Sequence, residues 1–313
     1  MLRTASTRIP AAFSGSVSTA VHSFNVHGYA LIRANDNEKK GVNHALSDLN
    51  KAIHTLYAST KDSWAYRWWR YFHSVNNPEL RHVIPLPTHL CDAVLRDSVR
   101  NVKPLLDALL NSNAALVELN AFVSLPGSEK QKVHSDIGWE HKDRYIVTGF
   151  VALADVTAAD GPTCVFPGTN TEAFHRYIVS SLDKETKHYN ADGSPDDDGR
   201  GGEHLPPADP ADAAALLALA SPEEQKLHHI GYGSAPLEVH LQAGDCLIFD
   251  TRLFHYGAAN ESLKPRTLLS FSFQQSPSPT CSEETRTSDK IRGFTYHLDK
   301  SFEDRKMTLN CFK

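Results

Sequence analysis

Ala115-Leu116-Val117-Glu118-Leu119-Asn120-Ala121-Phe122-Val123-Ser124-Leu125-Pro126-Gly127 decides how the rest of the chain is read. It is rich in Val, Leu and Phe and stops at a Pro-Gly turn signal, which is strand texture. Upstream the period differs. Val42, Leu46, Leu49, Ile53 and Leu56 recur three and four apart, so Glu38 to Ala58 reads as an amphipathic helix, and a second is expected from Leu90 to Leu110. Downstream, Arg144 to Val156, Thr163 to Phe166, Leu237 to Leu241, Cys246 to Asp250 and Thr267 to Gln274 are strand candidates separated by Gly and Pro punctuation, and Gly28 to Arg33 is one more. Many short strands with turns between them predict a mainly β protein, a jelly-roll-like double sheet with helices packed outside.

Composition narrows the function classes. With 41% hydrophobic and 22% charged residues the chain has ordinary globular usage. Its 37 acids against 32 Lys plus Arg leave a net charge of -5, which argues against a nucleic-acid partner. The longest strongly apolar stretch, Ala211 to Ala220, is too short for a membrane span. Five cysteines, Cys91, Cys164, Cys246, Cys281 and Cys311, form no Cys-x-x-Cys pair, and their odd number suits a reducing compartment; Cys164 and Cys246 read as small core residues. The first thirty residues carry Arg3 and Arg8, many Ser, Thr and Ala, and no acid. Such a bias resembles a transit segment, so a cytoplasmic location is expected with a mitochondrial or plastid one left open.

The chemistry concentrates in few residues. A mononuclear iron(II) oxygenase needs two neutral imidazoles and one carboxylate on one face of the metal, with the other positions open. His-x-Asp beside a strand supplies two of these side by side. There are three such triplets: His134-Ser135-Asp136, His141-Lys142-Asp143 and His297-Leu298-Asp299. With 17 histidines some arise by chance, and context selects. The 297 triplet has no histidine after it, and the 141 triplet lies in a charged run that reads as a solvated turn. His134 and Asp136 follow the strand and turn quoted above. The distal partner is expected where the apolar strand from Cys246 runs into His255. Eleven positions later Arg266 opens another strand, where an inward guanidinium must meet an anion. A dicarboxylate co-substrate such as 2-oxoglutarate would be that anion, each charge-assisted hydrogen bond contributing about 1.5 to 3 kcal/mol.

Taken together, Gly28-Tyr29-Ala30-Leu31-Ile32-Arg33, Pro126-Gly127 with Gln131, His134-Ser135-Asp136, the Asp160 to Thr169 segment, and Gly244 to His255 with Arg266 resemble the phytanoyl-CoA dioxygenase family over about residues 24–275. The resemblance implies a double-stranded β-helix (jelly-roll, cupin-like) core. It also implies iron(II), with 2-oxoglutarate and dioxygen as co-substrates, His134, Asp136 and His255 as ligands, and Arg266 on the far carboxylate of 2-oxoglutarate. Gln131 and Thr163 match positions that contact 2-oxoglutarate in some members. The carboxylate of Asp136 argues against a halogenase, since chlorinating relatives replace it with a small residue. Two departures stand out: the interval from Asp136 to His255 is long, and Gly257 occupies a place where some relatives carry a hydroxyl.

The expected organisation is an N-terminal extension at 1–23, an oxygenase domain at 24–275 with an insertion at about 176–236, and a C-terminal extension at 276–313 packing on or beside the core. Within the insertion, Asp192 to Asp212 is crowded with Gly, Pro and Asp and reads as a solvated loop, either a lid or an insertion without catalytic consequence. The aromatic run Trp64 to Phe72 and Trp139 can wall a substrate pocket or simply pack a helix on the sheet. The expected function is oxidation of an unactivated C–H bond of a small organic molecule, by hydroxylation, cyclisation or desaturation. Two alternatives stay open: a cupin-like metalloenzyme that does not use 2-oxoglutarate, and a non-catalytic binding protein on the same fold. Monomer and homodimer are equally compatible with the sequence.

Overall fold

The computed structural model describes residues 16–34, 39–61, 80–139, 145–176, 236–275 and 307–312. The triplets at 141 and 297, the aromatic run from Trp64 to Phe72 and the loop from Asp192 to Asp212 lie outside the described residues. In chain order come α1 (Val17–His27), β1 (Tyr29–Ile32), α2 (Lys39–Thr60), β2 (Arg81–Pro85), α3 (Thr88–Leu109), β3 (Ala115–Ser124) and β4 (Ile146–Ala152). Then follow β5 (Thr163–Val165), β6 (Leu237–Val239), β7 (Cys246–Asp250), β8 (His255–Gly257) and β9 (Arg266–Gln274). They form two sheets, β1-β7-β4-β9-β3-β2 and β6-β5-β8, and every pairing is antiparallel. The expected mainly β double sheet with flanking helices is the architecture observed.

Alternation along the strands of the large sheet creates two cores. Leu119, Ala121 and Val123 of β3, Leu269, Phe271 and Phe273 of β9, and Val147 and Val151 of β4 point to the outer face. There they pack with Leu46, Leu49 and Ile53 of α2 and with Val94, Leu95, Val99 and Val102 of α3. On the inner face Leu31, Phe150, Leu247, Phe249 and Leu268 meet Val165 and Val239 of the small sheet. Gly149 interrupts the outer face of β4 because Phe271 occupies its space; a Cβ there would lie 2.3 Å from the ring. Residues 307–312 lie along β3, where Thr308 bridges to Ala115 and the Phe312 ring sits 5.7 Å from Phe273.

Three elements were not legible beforehand. The sequence reading has no helix at 17–27, yet α1 buries Ala20 and Phe24 in the outer core and ends at Gly28, whose φ of 79° lets its N–H donate to the Phe24 carbonyl. Ser18, Thr19, Ser23 and Asn25 dilute its apolar stripe and lower its intrinsic helix propensity. β2 and β8 escape for a different reason. Both are short, and long-range pairing rather than local pattern defines them.

Candidate metal centre and co-substrate pocket

His134 and Asp136 come from the stretch after β3, which the small sheet holds in place. The backbone N–H of His134 donates to His255 O at 3.0 Å, and that of His255 donates back to His134 O at 2.8 Å. Two residues on, Asp136 N–H donates to Thr251 O at 2.9 Å. This lacing brings residues 121 positions apart to one spot. The ligand atoms of His134, Asp136 and His255 all lie within 4.8 Å of one another. Both imidazole Nε2 atoms face Asp136 Oδ1, at 3.8 Å from His134 and 3.7 Å from His255. Those spacings are too long for hydrogen bonds and leave a gap for a cation with bonds near 2.1 Å.

Tautomers favour ligation. His134 Nδ1 is 2.8 Å from Lys132 O and His255 Nδ1 is 2.9 Å from Leu253 O. A carbonyl only accepts, so each Nδ1 carries the proton and each Nε2 presents a lone pair to the gap. Burial lowers both imidazoles to about 4, with His255 adding to the effect at His134, so both are neutral donors at pH 7. Burial also raises the Asp136 carboxyl to about 6 in the metal-free protein. His134 and Asp136 keep 24% and 28% side-chain exposure, so the centre opens to solvent on one side. The donor set fits a divalent cation.

The placement of His255 needs one correction. The strand expected from Cys246 to Asp250 is observed as β7, but it does not run into His255, which opens β8 in the other sheet. Asp250 causes the break. Its carboxylate accepts from the Arg252 backbone at 3.0 Å and from the Arg252 guanidinium at 2.9 Å, turning the chain between the sheets.

Arg266 faces inward and is 7% exposed. One of its nitrogens donates to Gly161 O, but its buried Nε has no hydrogen-bond partner among the described residues. Across β3, Ser124 is the register partner of both Arg266 and Arg81, which puts two guanidinium-bearing side chains on one row of the inner face. Arg81 donates to the carbonyls of Glu129 and Ala258. Burial lowers Arg81 to about 10 and Arg266 to about 9, with the charge of Arg81 adding to the effect at Arg266. Two buried cations with an orphaned donor call for an anion. Gln131 lies beside them, its Oε1 accepting from Gly257 N–H at 2.8 Å, and Thr163 pairs with Gly257 on the inward side of β5. A Cβ at Gly257 would meet Gln131 Oε1 at 2.6 Å and Arg81 Nη1 at 2.7 Å, so a larger residue there would have to displace the ends of both side chains. Arg81 was missed in the sequence, because β2, the strand that it opens, is defined by its pairing with β3 rather than by a local pattern.

The profile of the phytanoyl-CoA dioxygenase (PhyH) family matches residues 24–268. The chain belongs to the phytanoyl-CoA dioxygenase family. Membership makes it an iron(II)- and 2-oxoglutarate-dependent oxidoreductase. Among solved structures it is similar to the epimerase SnoN in complex with Fe3+, alpha ketoglutarate and nogalamycin RO. That match has 16% identity, covers 90% of this chain and 91% of that one, and has a TM-score of 0.50. It is also similar to HygX from Streptomyces hygroscopicus with nickel and 2-oxoglutarate bound, at 11% identity over 82% of this chain and 86% of that one, TM-score 0.50. At such identities the likeness shows the shared fold. No curated protein matches the chain in sequence. No described helix is long and apolar enough to cross a membrane.

One further acid lies inside this phytanoyl-CoA dioxygenase fold. Glu118 is buried on the inner face of β3, and burial raises its carboxyl from 4.5 to about 7 despite hydrogen bonds from Ser272 and Asn120. Its folded value lies above its unfolded one, so the unfolded chain ionises first and stability is lost as pH rises from about 4.5 to 7. In metal-free protein, Glu118→Gln is therefore expected to gain about 3 kcal/mol over its parent at pH 8 and under about 1 kcal/mol at pH 5. Urea unfolding at the two pH values measures this, and equal gains at both would refute it.

Proposed function

We propose that the chain oxidises an unactivated C–H bond of a small organic molecule, by hydroxylation or by the related cyclisation or desaturation, while 2-oxoglutarate and dioxygen are converted to succinate and carbon dioxide. The observation that carries this reading is the convergence of three metal donors beside a buried guanidinium pair to which, among the described residues, no carboxylate is hydrogen-bonded. In it, His134 Nε2, His255 Nε2 and the Asp136 carboxylate would hold iron(II). When bound, iron(II) with 2-oxoglutarate and dioxygen supplies an oxidant strong enough to break a C–H bond.

The protein's own part is positional. Arg266 takes the far carboxylate of 2-oxoglutarate, Arg81 adds positive charge at the same end, and Gln131 and Thr163 line the approach. The carbonyls of Lys132 and Leu253 fix the imidazole tautomers, so the lone pairs do not swing away. Residues 24–275 act as a single catalytic unit in this reading, with 1–23 and 276–313 as extensions and about 176–236 as an insertion. Anaerobic addition of iron(II) and 2-oxoglutarate is expected to give stoichiometric iron and the weak visible charge-transfer band of a chelated keto acid. Succinate release coupled to a substrate then follows on admitting air. Full metal occupancy without the band would overturn the proposal.

A further inference from the structure

The inner face of the large sheet is polar at one end in a way that the metal and the keto acid do not use. Glu118, Ser272 and Thr148 are register partners across β3, β9 and β4. Thr148 and Ser272 hydroxyls lie 2.8 Å apart, Ser272 donates to Glu118 Oε2 at 2.6 Å, and Asn120 Nδ2 donates to Glu118 Oε1 at 2.6 Å. In the adjoining row, Asn120, Ser270 and Phe150 are partners, and the Ser270 hydroxyl is fully buried with no hydrogen-bond partner among the described residues. The residues between them on β3 and β9 belong to the outer core, so this polar set points to the interior.

Its position relative to the centre follows from β8. The His255 ring lies 5.0 Å from Phe249, the register partner of Thr148 in the Glu118 row. Two residues along, Gly257 abuts Arg81. The guanidinium pair and Glu118 thus mark opposite ends, roughly 20 Å apart along the strands, with the three donors between them and nearer the acid. In the proposed function 2-oxoglutarate would lie between the donors and Arg266, which would leave the Glu118 end to the substrate.

A buried carboxyl is a costly way to accept two hydrogen bonds, since a glutamine makes similar contacts without a charge. Among the described residues Glu118 is paired with an amide and a hydroxyl, not with a cation. Loading the centre does not cure this: iron(II), Asp136, the keto acid dianion and Arg266 sum to zero charge, and the remaining cation, Arg81, lies on the Ser124 row at the opposite end of the face from Glu118. Beside it, Phe122, Phe150 and Phe249 form a continuous aromatic wall, with successive ring centroids 5.3 and 5.0 Å apart. From the proposed function, on which this rests, we infer that Glu118 recognises the substrate, which presents a basic nitrogen to it and lays an apolar body along these rings. The nitrogen supplies the missing counter-charge, and Ser270 supplies an acceptor for one of its protons.

The test uses protein loaded anaerobically with iron(II) and 2-oxoglutarate and three probes on one skeleton: 3-phenylpropylamine, 3-phenylpropan-1-ol and 3-phenylpropanoate. Binding is read by calorimetry and by the shift of the charge-transfer band. The amine is expected to bind at least about tenfold tighter than the alcohol, and the acid more weakly than both. Glu118→Gln should erase the advantage of the amine while leaving iron stoichiometry and 2-oxoglutarate affinity unchanged. Ser270→Ala, which removes one oxygen from the core, should weaken the amine several-fold and serves if the first variant does not fold. An amine preference that survives in Glu118→Gln, an acid that binds as tightly as the amine, or no binding of any probe to the loaded parent would each overturn the inference. Failure of the underlying reading shows earlier and separately, as absence of the band before any probe is added.

Discussion

Asp136→Ala is expected to cut turnover by at least about a thousandfold while leaving the metal-free protein as stable as its parent or more so. The loss follows from chemistry: the carboxylate is the one anionic donor of the three, and several kcal/mol of metal-dependent stabilisation corresponds to three or more powers of ten. The stability half follows from the structure. In the metal-free protein the carboxyl is 3.7 and 3.8 Å from the two imidazole nitrogens, beyond hydrogen-bond reach, and burial raises it to about 6. Removing it deletes a desolvation cost without breaking a strong contact. His134→Ala and His255→Ala should lose activity similarly and stay folded, because the backbone bridge between them and the two cores hold the site together. Iron stoichiometry, coupled succinate release and thermal melts in chelator check all three. Cooperative unfolding of every variant would show that these residues build structure rather than a metal centre.

Arg266→Glu carries the second large effect, an expected weakening of 2-oxoglutarate binding by at least about a hundredfold with iron affinity maintained. Truncating one partner of a buried charge pair costs about 2 to 5 kcal/mol, and reversing the charge adds repulsion. The fold should tolerate the change because Arg81, on the same row across Ser124, can receive the new carboxylate. Titrating the charge-transfer band with 2-oxoglutarate and with 2-oxobutyrate, which lacks the second carboxylate, separates the outcomes. The parent should strongly prefer the diacid and the variant should not. A variant that binds 2-oxoglutarate as the parent does would assign Arg266 to the scaffold and remove the basis for the keto-acid pocket.

Much of the fold and centre was legible because several residues break a local rule in a way only chemistry explains. His134 and Asp136 stand two apart after a strand, and Arg266 is the one charged residue of the strand that it opens. The same logic failed at Glu118 and Asn120. Polar residues alternating with Leu119, Ala121 and Val123 describe a sheet with one wet face, and nothing local says that the wet face is an enclosed interior. β8 was invisible because a three-residue strand gains its identity from Val165 and His134, neither of them near in sequence. Arg81 was hidden by its position on β2, a strand recognisable only through its pairing with β3.

The donors hang from the loop after β3 and from β8, whereas Glu118, Asn120, Ser270 and Thr148 hang from the sheet opposite. Reactive atoms and the wall facing them therefore belong to separate layers of the scaffold. Under the inference that this wall meets the substrate, a side chain on it can be exchanged without displacing an imidazole, and the guest redefined over generations while the proposed oxidising apparatus is inherited intact.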